Sequence, residues 1–452
     1  MRKLPHVLAL AAATVGLLAF PLAAGADHGT RPHTQNIHAK GHSPDFGSFL
    51  VPDGQRDANS DLAFWGNLAF HGDYDGFRII DISDPDDPQL VSRTRCNGDQ
   101  GDIVVWGNIL VRAWNAPKTV PRDCDGTTVP AGFEGMHVFD ISDLENPQLV
   151  GEVELSARPQ ADSPGCGTHT LTLVPDEDRA VIYNATSGGN ALLPPALQAC
   201  DWIDIIEVPL DNPGAASFVR REPLEGGHAA HDNGVILGGV NLLGTASGHM
   251  SNVFSIGPPR GGTLEDPRFL YTVEEPGVDG VIGNWHSAAF SWDGEVLILG
   301  WEPGGGAAPE CEATDPPVKK SAFFYDADTG AKLGQWTLPR PQSAAENCTI
   351  HNYSAVPLRS GKRVLVLGNY QAGTWVVDFT DPANAETVAW SDPPPLVPTQ
   401  LGGAWSSYWY NNFIYESEIT KGLNVFRLSS STTAGAMRLG HLNPQTQEFT
   451  VD

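Results

Sequence analysis

Short apolar runs separated by turn residues recur along the whole chain. The clearest example spans residues 61–91, DLAFWGNLAFHGDYDGFRIIDISDPDDPQLV, and contains an apolar run broken by Trp65-Gly66-Asn67 and an alternating run from Phe77 to Ile82. Gly-Asn between two apolar runs is typical of a tight hairpin, because both turn positions favour positive φ. This stretch is therefore predicted to form antiparallel strands without a helix.

Six further segments repeat this order of parts, with first strands that begin near residues 102, 169, 228, 286, 351 and 405. Repeats of about 40 to 65 residues that each form one small antiparallel sheet predict a β-propeller. We expect an all-β fold over residues 49–435, a seven-bladed β-propeller of four-stranded antiparallel blades. Six blades would follow if the degenerate fourth copy were no repeat, and eight if the N-terminal arm added one. A two-domain β-sandwich explains the repeat less well.

The end of the repeat carries a recognisable motif in four copies: DGFRIIDISDPDDPQLV, GMHVFDISDLENPQLV, GTWVVDFTDP and KGLNVFRL. These segments resemble LVIVD repeats, which occur in secreted and surface proteins of bacteria and archaea. The resemblance is close in the first, second and sixth copies and loose in the third, fourth and fifth. It implies a β-propeller fold and an extracellular location. It implies no reaction, because LVIVD repeats have no common activity.

Both ends of the chain differ from the repeats. Residues 1–26 begin Met1-Arg2-Lys3, continue with an apolar run and end in the small residues Ala24-Gly25-Ala26, which predicts a signal peptide and hence a secreted or cell-surface protein. No second apolar run has the length of a membrane span. Residues 27–48 contain several histidines without apolar periodicity and are predicted to be a flexible arm. Residues 436–452 are expected to be a C-terminal tail or a closing strand.

Composition narrows the possible partners. The 49 glycines and 36 prolines suit dense turns between short strands. A formal net charge of −27 argues against nucleic acid or an anionic membrane as a partner, since both demand a basic surface. Cations remain compatible with this charge, and a soluble, self-repelling surface explains it more simply.

Six cysteines follow the predicted signal peptide: Cys96, Cys124, Cys166, Cys200, Cys311 and Cys348. An even number in an oxidising compartment predicts three disulfides. Sequential pairing would close loops of about 30 to 40 residues, each stabilising by roughly 3 to 4 kcal/mol. A Cys124–Cys166 pair is also compatible with the sequence, since six cysteines allow fifteen connectivities.

Aligning the copies at the start of the first strand gives one column of residues: Asp61, Asp102, His169, His228, His286, His351 and Trp405. In a propeller this strand is innermost, so the column would form a ring at one mouth of the central channel. His169, His228, His286 and His351 are candidate ligands for a divalent transition metal, because imidazole is its commonest protein ligand. His231, Asp61 and Asp102 are candidate acid–base groups. Duplication of one ancestral blade, with each ring bonded to a neighbouring backbone, is the competing explanation.

The loops after the second strands are predicted to open on the same mouth. They supply candidate ligand-binding residues: His71, Asp73, Trp114, Trp301, Glu302, Tyr370 and Glu416, with Trp405 from the column. Together, aromatic and acidic groups could hold a sugar, a cation or a peptide, whereas any single one is explained by ordinary loop polarity over packed aromatic rings.

Two functional hypotheses follow. The first is a binding module that contacts a ligand or protein through the channel-mouth face. The second is a metal-dependent enzyme, an oxidoreductase or a hydrolase, built on the histidine column. The motifs of serine hydrolases, phosphate-binding loops and HExxH metalloproteases do not occur in the chain.

Overall fold

The structure is a computed structural model that describes residues 31–51, 56–115, 117–155, 166–186, 200–226, 229–275, 283–303 and 306–451. The predicted signal peptide lies outside these residues. Strands joined by turns make up most of the described chain, which confirms the all-β prediction. Short 3-10 helices lie at Pro213–Ala215, Pro317–Lys320, Pro382–Asn384 and Ser431–Thr433. Within the described ranges, no helix is long and apolar enough to cross a membrane.

The strands follow the repeats that the sequence predicts. Strand β1 (Ile37–Pro44) precedes the first repeat. The first unit comprises β2 (Asn59–Trp65), β3 (Leu68–Asp73), β4 (Gly76–Asp81) and β5 (Gln89–Arg95). The second comprises β6 (Ile103–Trp106), β7 (Ile109–Trp114), the inserted hairpin of β8 (Arg122–Cys124) and β9 (Thr127–Val129), β10 (Gly135–Asp140) and β11 (Gln148–Glu154). The third comprises β12 (Thr170–Asp176), β13 (Arg179–Ala185), β14 (Trp202–Pro209) and β15 (Ser217–Pro223).

The remaining units keep the same order. The fourth comprises β16 (Ala230–Ile236), β17 (Leu242–Ser247), β18 (Met250–Ser255) and β19 (Arg268–Glu274). The fifth comprises β20 (Gly283–Phe290), β21 (Val296–Pro303), β22 (Ser321–Asp326) and β23 (Lys332–Thr337). The sixth comprises β24 (Asn352–Ala355), β25 (Val364–Gly368), β26 (Thr374–Asp378) and β27 (Glu386–Ser391). The seventh comprises β28 (Ala404–Tyr410), β29 (Phe413–Glu418) and β30 (Gly422–Leu428), and β31 (His441–Leu442) and β32 (Thr446–Gln447) follow it.

Adjacent units bury their faces against each other. Each of seven apolar clusters in the described chain combines residues of two consecutive units, and one of them joins the seventh unit to the first. The first strands β2, β6, β12, β16, β20, β24 and β28 contact one another in that order, and β28 contacts β2. Antiparallel sheets whose first strands close a ring form a β-propeller, so the prediction of a β-propeller is confirmed.

The N-terminal strand completes the seventh unit. Strand β1 pairs antiparallel with β30, from Ile37 opposite Leu428 to Pro44 opposite Gly422. Just before β1, the buried guanidinium of Arg31 donates to both carboxylate oxygens of Glu416, with N–O distances of 2.8 and 3.2 Å. The prediction of a flexible arm over residues 27–48 is therefore wrong for residues 37–44. Pairing along an open sheet edge uses main-chain groups, which need no apolar periodicity.

The C-terminal segment crosses the channel at the end where the first strands finish. Strand β31 pairs with β2, and β32 pairs in parallel with β16. Between them, the Asn443 amide receives a hydrogen bond from Val105 N at 2.8 Å and donates one to Val105 O at 2.9 Å. The Thr446 hydroxyl donates to Leu173 O at 2.7 Å. This end of the channel is thus filled by residues 441–447.

We predict that Asn443→Ala lowers the free energy of unfolding by about 2 to 6 kcal/mol, because it leaves the buried N–H and C=O of Val105 unpaired at about 1 to 3 kcal/mol each. Urea unfolding followed by tryptophan fluorescence measures this change. Gln148→Ala is the control, since it removes an exposed amide that also bonds main-chain carbonyls. It should cost less than about 0.5 kcal/mol. Equal losses in the two variants would contradict the prediction.

Candidate metal centre

Four histidines meet at the mouth of the channel, where the first strands begin. His169 and His351 lie directly before β12 and β24, and His231 and His286 lie within β16 and β20. Adjacent imidazole rings have centroid distances of 4.3 Å (His169–His231), 3.9 Å (His231–His286) and 4.1 Å (His286–His351). They border a cavity of about 10 Å³ that also contacts Trp405. Its volume suits one water molecule or one ion.

Two of these histidines are aimed at the channel by β-bulges. In β16, Ala230 pairs with Ser247 and Asp232 pairs with Ala246, so His231 is the extra residue. In β20 the same irregularity leaves His286 as the extra residue between Trp285 and Ser287. A bulge breaks the two-residue alternation of side chains and redirects one of them. The bulges were not predicted from the sequence, because they are defined by the pairing between strands.

The structure changes the predicted column. His228 lies outside the described residues, and His231, predicted only as an acid–base group, lies in the ring. Asp61 lines the same cavity as the histidines, and it accepts hydrogen bonds from Asn352 at 3.4 Å and from Gln445 of the C-terminal segment at 3.0 Å.

Asp102 also lines this cavity, and its carboxylate accepts a hydrogen bond from the main-chain N of Leu171, two residues after His169. The structure therefore brings both aspartates of the predicted column to the cavity that the histidines border.

Glu302 at the end of β21 faces the histidine ring. Its Oε2 lies 3.8 Å from His231 Nε2 and 3.8 Å from His286 Nε2, and its Oε1 lies 4.0 Å from His351 Nε2. The hydroxyl of Tyr370 donates to Oε1 at 3.1 Å. Ligand atoms of His231, His286 and Glu302 all lie within 4.8 Å of one another. The sequence analysis included Glu302 and Tyr370 only as binding residues of the loops.

Hydrogen bonds on the far side of the rings determine where their protons lie. His351 Nδ1 faces the main-chain O of Trp405 at 2.5 Å, and this oxygen can only accept. His286 Nδ1 lies 2.6 Å from Ser287 Oγ. The single hydroxyl proton of Ser287 is directed to the His351 carbonyl, so Nδ1 of His286 is the donor. The Nε2 atoms of His286 and His351 therefore present lone pairs to the cavity.

The other two rings approach each other through Nε2. His169 Nε2 lies 3.1 Å from His231 Nε2, and His169 Nδ1 lies 2.5 Å from Asn115 Oδ1, which can accept its proton. Metal–nitrogen bonds of about 2.0 to 2.1 Å place two ligand atoms roughly 3.3 Å apart in tetrahedral geometry. The distance of 3.1 Å between the Nε2 atoms of His169 and His231 is close to the spacing of two ligand atoms that share one ion.

Burial keeps the imidazoles neutral. It lowers the pKa of His169 to about 4 and that of His351 to about 3, and it lowers the pKa values of His231 and His286 well below the ordinary value. Neutral imidazole is the form that binds a metal. Burial also raises the pKa of Glu302 to about 8, against the opposing hydrogen bond from Tyr370. A cation in the cavity would reverse this shift and release the proton.

The residues predicted from the loops divide into two groups. Glu302, Tyr370 and Trp405 adjoin the histidine ring. The others are buried elsewhere and do not form a ligand-binding surface: His71, Asp73, Trp114, Trp301 and Glu416. Their environments are structural, since His71 bonds Ser417 and Glu416 pairs with Arg31.

The three sequential disulfides are confirmed: Cys96–Cys124, Cys166–Cys200 and Cys311–Cys348. They are consistent with an extracellular location. Cys96 and Cys124 also lie beside His137 in a grouping with ligand atoms close together. Because both sulfurs are engaged in a disulfide, this grouping offers no thiolate to a metal.

Comparison with known proteins supports the repeat assignment. Residues 56–95 match the family model of the LVIVD repeat, so the first repeat is an LVIVD repeat. No curated protein matches the chain.

The chain also has low similarity to solved structures. Raptor from Chaetomium thermophilum is 11% identical, with a TM-score of 0.48 over 86% of this chain and 29% of that chain. BamB from Moraxella catarrhalis is 12% identical, with a TM-score of 0.42 over 80% of this chain and 82% of that chain. The β-propeller domain of Cps50 (Swd1) from Myceliophteria thermophila is 10% identical, with a TM-score of 0.48 over 85% of this chain and all of that chain.

We predict that Glu302 makes the metal-free protein less stable as the pH rises. In the native protein its carboxyl holds a proton up to a pKa of about 8, whereas the ordinary value is 4.5. The native state therefore binds more protons between these values, and the free energy of unfolding falls as pH rises through this window. Glu302→Gln should remove this slope and reduce the loss between pH 5 and pH 8 by about 3 to 4 kcal/mol.

Denaturant unfolding in the presence of a chelator measures this difference. The exposed Glu386→Gln is the matched control and should keep the wild-type profile. If the free energies of unfolding of the wild type and of Glu302→Gln changed with pH in parallel, the result would contradict a buried, protonated carboxyl at Glu302.

Proposed function

We propose that this protein binds one divalent transition metal ion at the channel mouth through Nε2 of His169, His231, His286 and His351, with Glu302 as a further oxygen ligand. One observation carries the proposal. The Nδ1 protons of His286 and His351 are directed to oxygen acceptors behind the rings, so their Nε2 atoms carry the lone pairs, and these atoms lie 3.8 and 4.0 Å from the carboxyl oxygens of Glu302. Hydrogen bonds of this kind orient histidine ligands in metal sites.

The donor set narrows the choice of ion. Imidazole nitrogens suit Zn²⁺, Cu²⁺, Fe²⁺ and Ni²⁺, and the proposed set includes no thiolate. Mg²⁺ and Ca²⁺ prefer oxygen ligands and fit this set poorly. Because Glu302 must lose a proton to bind a cation, metal binding is expected to release protons and to strengthen as the pH rises.

The size of the cavity limits the chemistry at such an ion. About 10 Å³ leaves room for a water-sized molecule, so a larger substrate would reach the ion only with its outermost atoms. A bound ion would supply Lewis acidity or, for a redox metal, electron transfer. Of the candidate acid–base groups, His231 serves as a ligand in this proposal, and Asp61 and Asp102 line the cavity as acid–base candidates. Tyr370, which donates to Glu302, would fix the orientation of that carboxylate.

The binding-module hypothesis stays a prediction. A β-propeller fold suggests a protein-binding module, and such a role is compatible with a metal centre at the channel mouth. Five of the eight residues predicted for the binding face are buried away from this mouth, so they do not identify the contact surface.

We predict that untagged protein binds one equivalent of Zn²⁺ or Cu²⁺ and that His286→Ala weakens this binding by about 100-fold or more. The size follows from protein zinc sites, in which four ligands share about 10 to 16 kcal/mol of binding free energy. Competition with a chromophoric chelator measures the affinity, and elemental analysis measures the stoichiometry.

His38→Ala provides the matched control, because His38 is an exposed histidine in β1, away from the ring. It should bind metal as the wild type does. The proposal would be disproved if the wild-type protein held no stoichiometric metal after incubation with these ions. It would also be disproved if His286→Ala and His38→Ala bound the metal with equal affinities.

A further inference from the structure

We propose that two of the three disulfides, Cys166–Cys200 and Cys311–Cys348, position His169 and His351 for metal binding, an inference that rests on the proposed metal function. The four histidines are held in two different ways. His231 and His286 lie within the hydrogen-bonded ladders of β16 and β20. His169 and His351 precede their strands and need another means of support.

The main chain gives these two histidines little support. His169 N donates to Ala185 O at 2.8 Å, and His351 N donates to Gly368 O at 3.1 Å. The residue pairing of β12 with β13 begins at Thr170, and that of β24 with β25 begins at Tyr353. Strand ends fray more easily than strand centres. The positions of both ligand-bearing segments therefore also depend on contacts outside these two ladders.

Each disulfide supplies such a contact at the same distance along the chain. Cys166 lies three residues before His169, and Cys348 lies three residues before His351. Three residues span at most about 10 Å, so each buried sulfur restrains its histidine closely. Neither of the histidines that lie within strands has a disulfide near it in sequence.

The Cys311–Cys348 disulfide also connects two ligands from different units. Cys311 follows Glu302 of the fifth unit, and Cys348 precedes His351 of the sixth. Along this contact Cys348 N donates to Ala308 O at 3.2 Å, and the Thr349 hydroxyl donates at 2.8 Å to the carbonyl of Trp301, next to Glu302. The disulfide therefore fixes the segment that leads to His351 against the strand that carries Glu302.

The Cys166–Cys200 disulfide acts within the third unit. The amide of Asn184 in β13 donates to Gly167 O at 2.7 Å, and the hydroxyl of Thr186 donates to Cys200 O at 3.2 Å. Both partners of the disulfide are thereby attached to the end of β13, which pairs with β12. His169 is held between this attachment and the first residue pair of β12.

The third disulfide offers an internal control. Cys96–Cys124 joins the end of β5 to the β8–β9 hairpin, and no histidine of the ring follows either cysteine closely. The three disulfides have sequence separations of 28, 34 and 37 residues. In the chain-entropy model, loops of such similar length stabilise a protein to a similar degree. Loss of any one disulfide should therefore lower the melting temperature comparably, whereas only two should change metal binding.

The test compares three double variants of the full chain: Cys166→Ala/Cys200→Ala, Cys311→Ala/Cys348→Ala and the control Cys96→Ala/Cys124→Ala. Zn²⁺ affinity is measured by chelator competition at a temperature where each variant is folded, and the melting temperature is measured in parallel. We expect the first two to bind Zn²⁺ about 10- to 100-fold more weakly, as for other residues that orient ligands, and the control to bind as the wild type does.

Wild-type affinity in the first two variants, or an equal loss in all three, would overturn the inference. If the first two do not fold, Thr349→Val decides, because it removes the hydroxyl that attaches the His351 segment to Trp301 while keeping the side-chain shape. A weaker Zn²⁺ affinity with little change in melting temperature supports positioning, and an unchanged affinity overturns it. Wild-type protein that binds no Zn²⁺ would instead refute the proposed function.

Discussion

The main-chain pairing of β1 with β30 is the interaction on which the rest of the structure depends. Each four-stranded unit has two apolar faces that must be covered by its neighbours, so the faces of the first and seventh units are covered only if the ring closes. Strand β1 supplies the outer strand of the seventh unit, and the buried Arg31–Glu416 pair attaches the segment before it. Breaking such a pair by removing one partner typically costs about 3 to 5 kcal/mol. Ring closure also determines how far apart the first strands lie, and hence whether their side chains meet.

The closed ring creates a channel whose two ends differ in chemistry. At one end the C-terminal segment satisfies main-chain groups of the first strands, and Gln445 reaches Asp61 in the interior. Burial raises the pKa values of Asp61, Asp102 and Asp232, and the negative charges of neighbouring carboxylates add to the effect in Asp102. At the other end, within the described chain, no such segment crosses the channel, and the neutral imidazoles of the histidine ring border a cavity the size of one ion. The main-chain polar groups at one end of the channel are thus hydrogen-bonded to the C-terminal segment, whereas imidazole nitrogens at the other end present lone pairs to the cavity.

The fold could be predicted from the sequence because each repeat of the sequence corresponds to one antiparallel unit of the propeller. The alternating run from Phe77 to Ile82 and its later copies appear as strands, and the pairing of the cysteines follows their order. The sequence placed His169, His286 and His351 in one column, and the structure brings their rings together with that of His231. The orientation of His231 was not predictable from the sequence alone, because it depends on a bulge that is defined by the pairing of β16 with β17. The position of Glu302 beside the histidines and the pairing of residues 37–44 could not be predicted, since both depend on contacts between segments distant in sequence.

X-ray absorption spectroscopy of protein loaded with one equivalent of Zn²⁺ or Cu²⁺ is the most direct test of a metal centre in the histidine ring. It reports the elements bound to the ion and distinguishes imidazole rings from simple oxygen ligands by their outer carbon atoms. We expect nitrogen ligands at about 2.0 to 2.1 Å from at least three imidazoles, with room for one oxygen from Glu302. A shell made of oxygen atoms alone, or of one imidazole, would show that the ion binds elsewhere and would contradict a metal centre in the histidine ring.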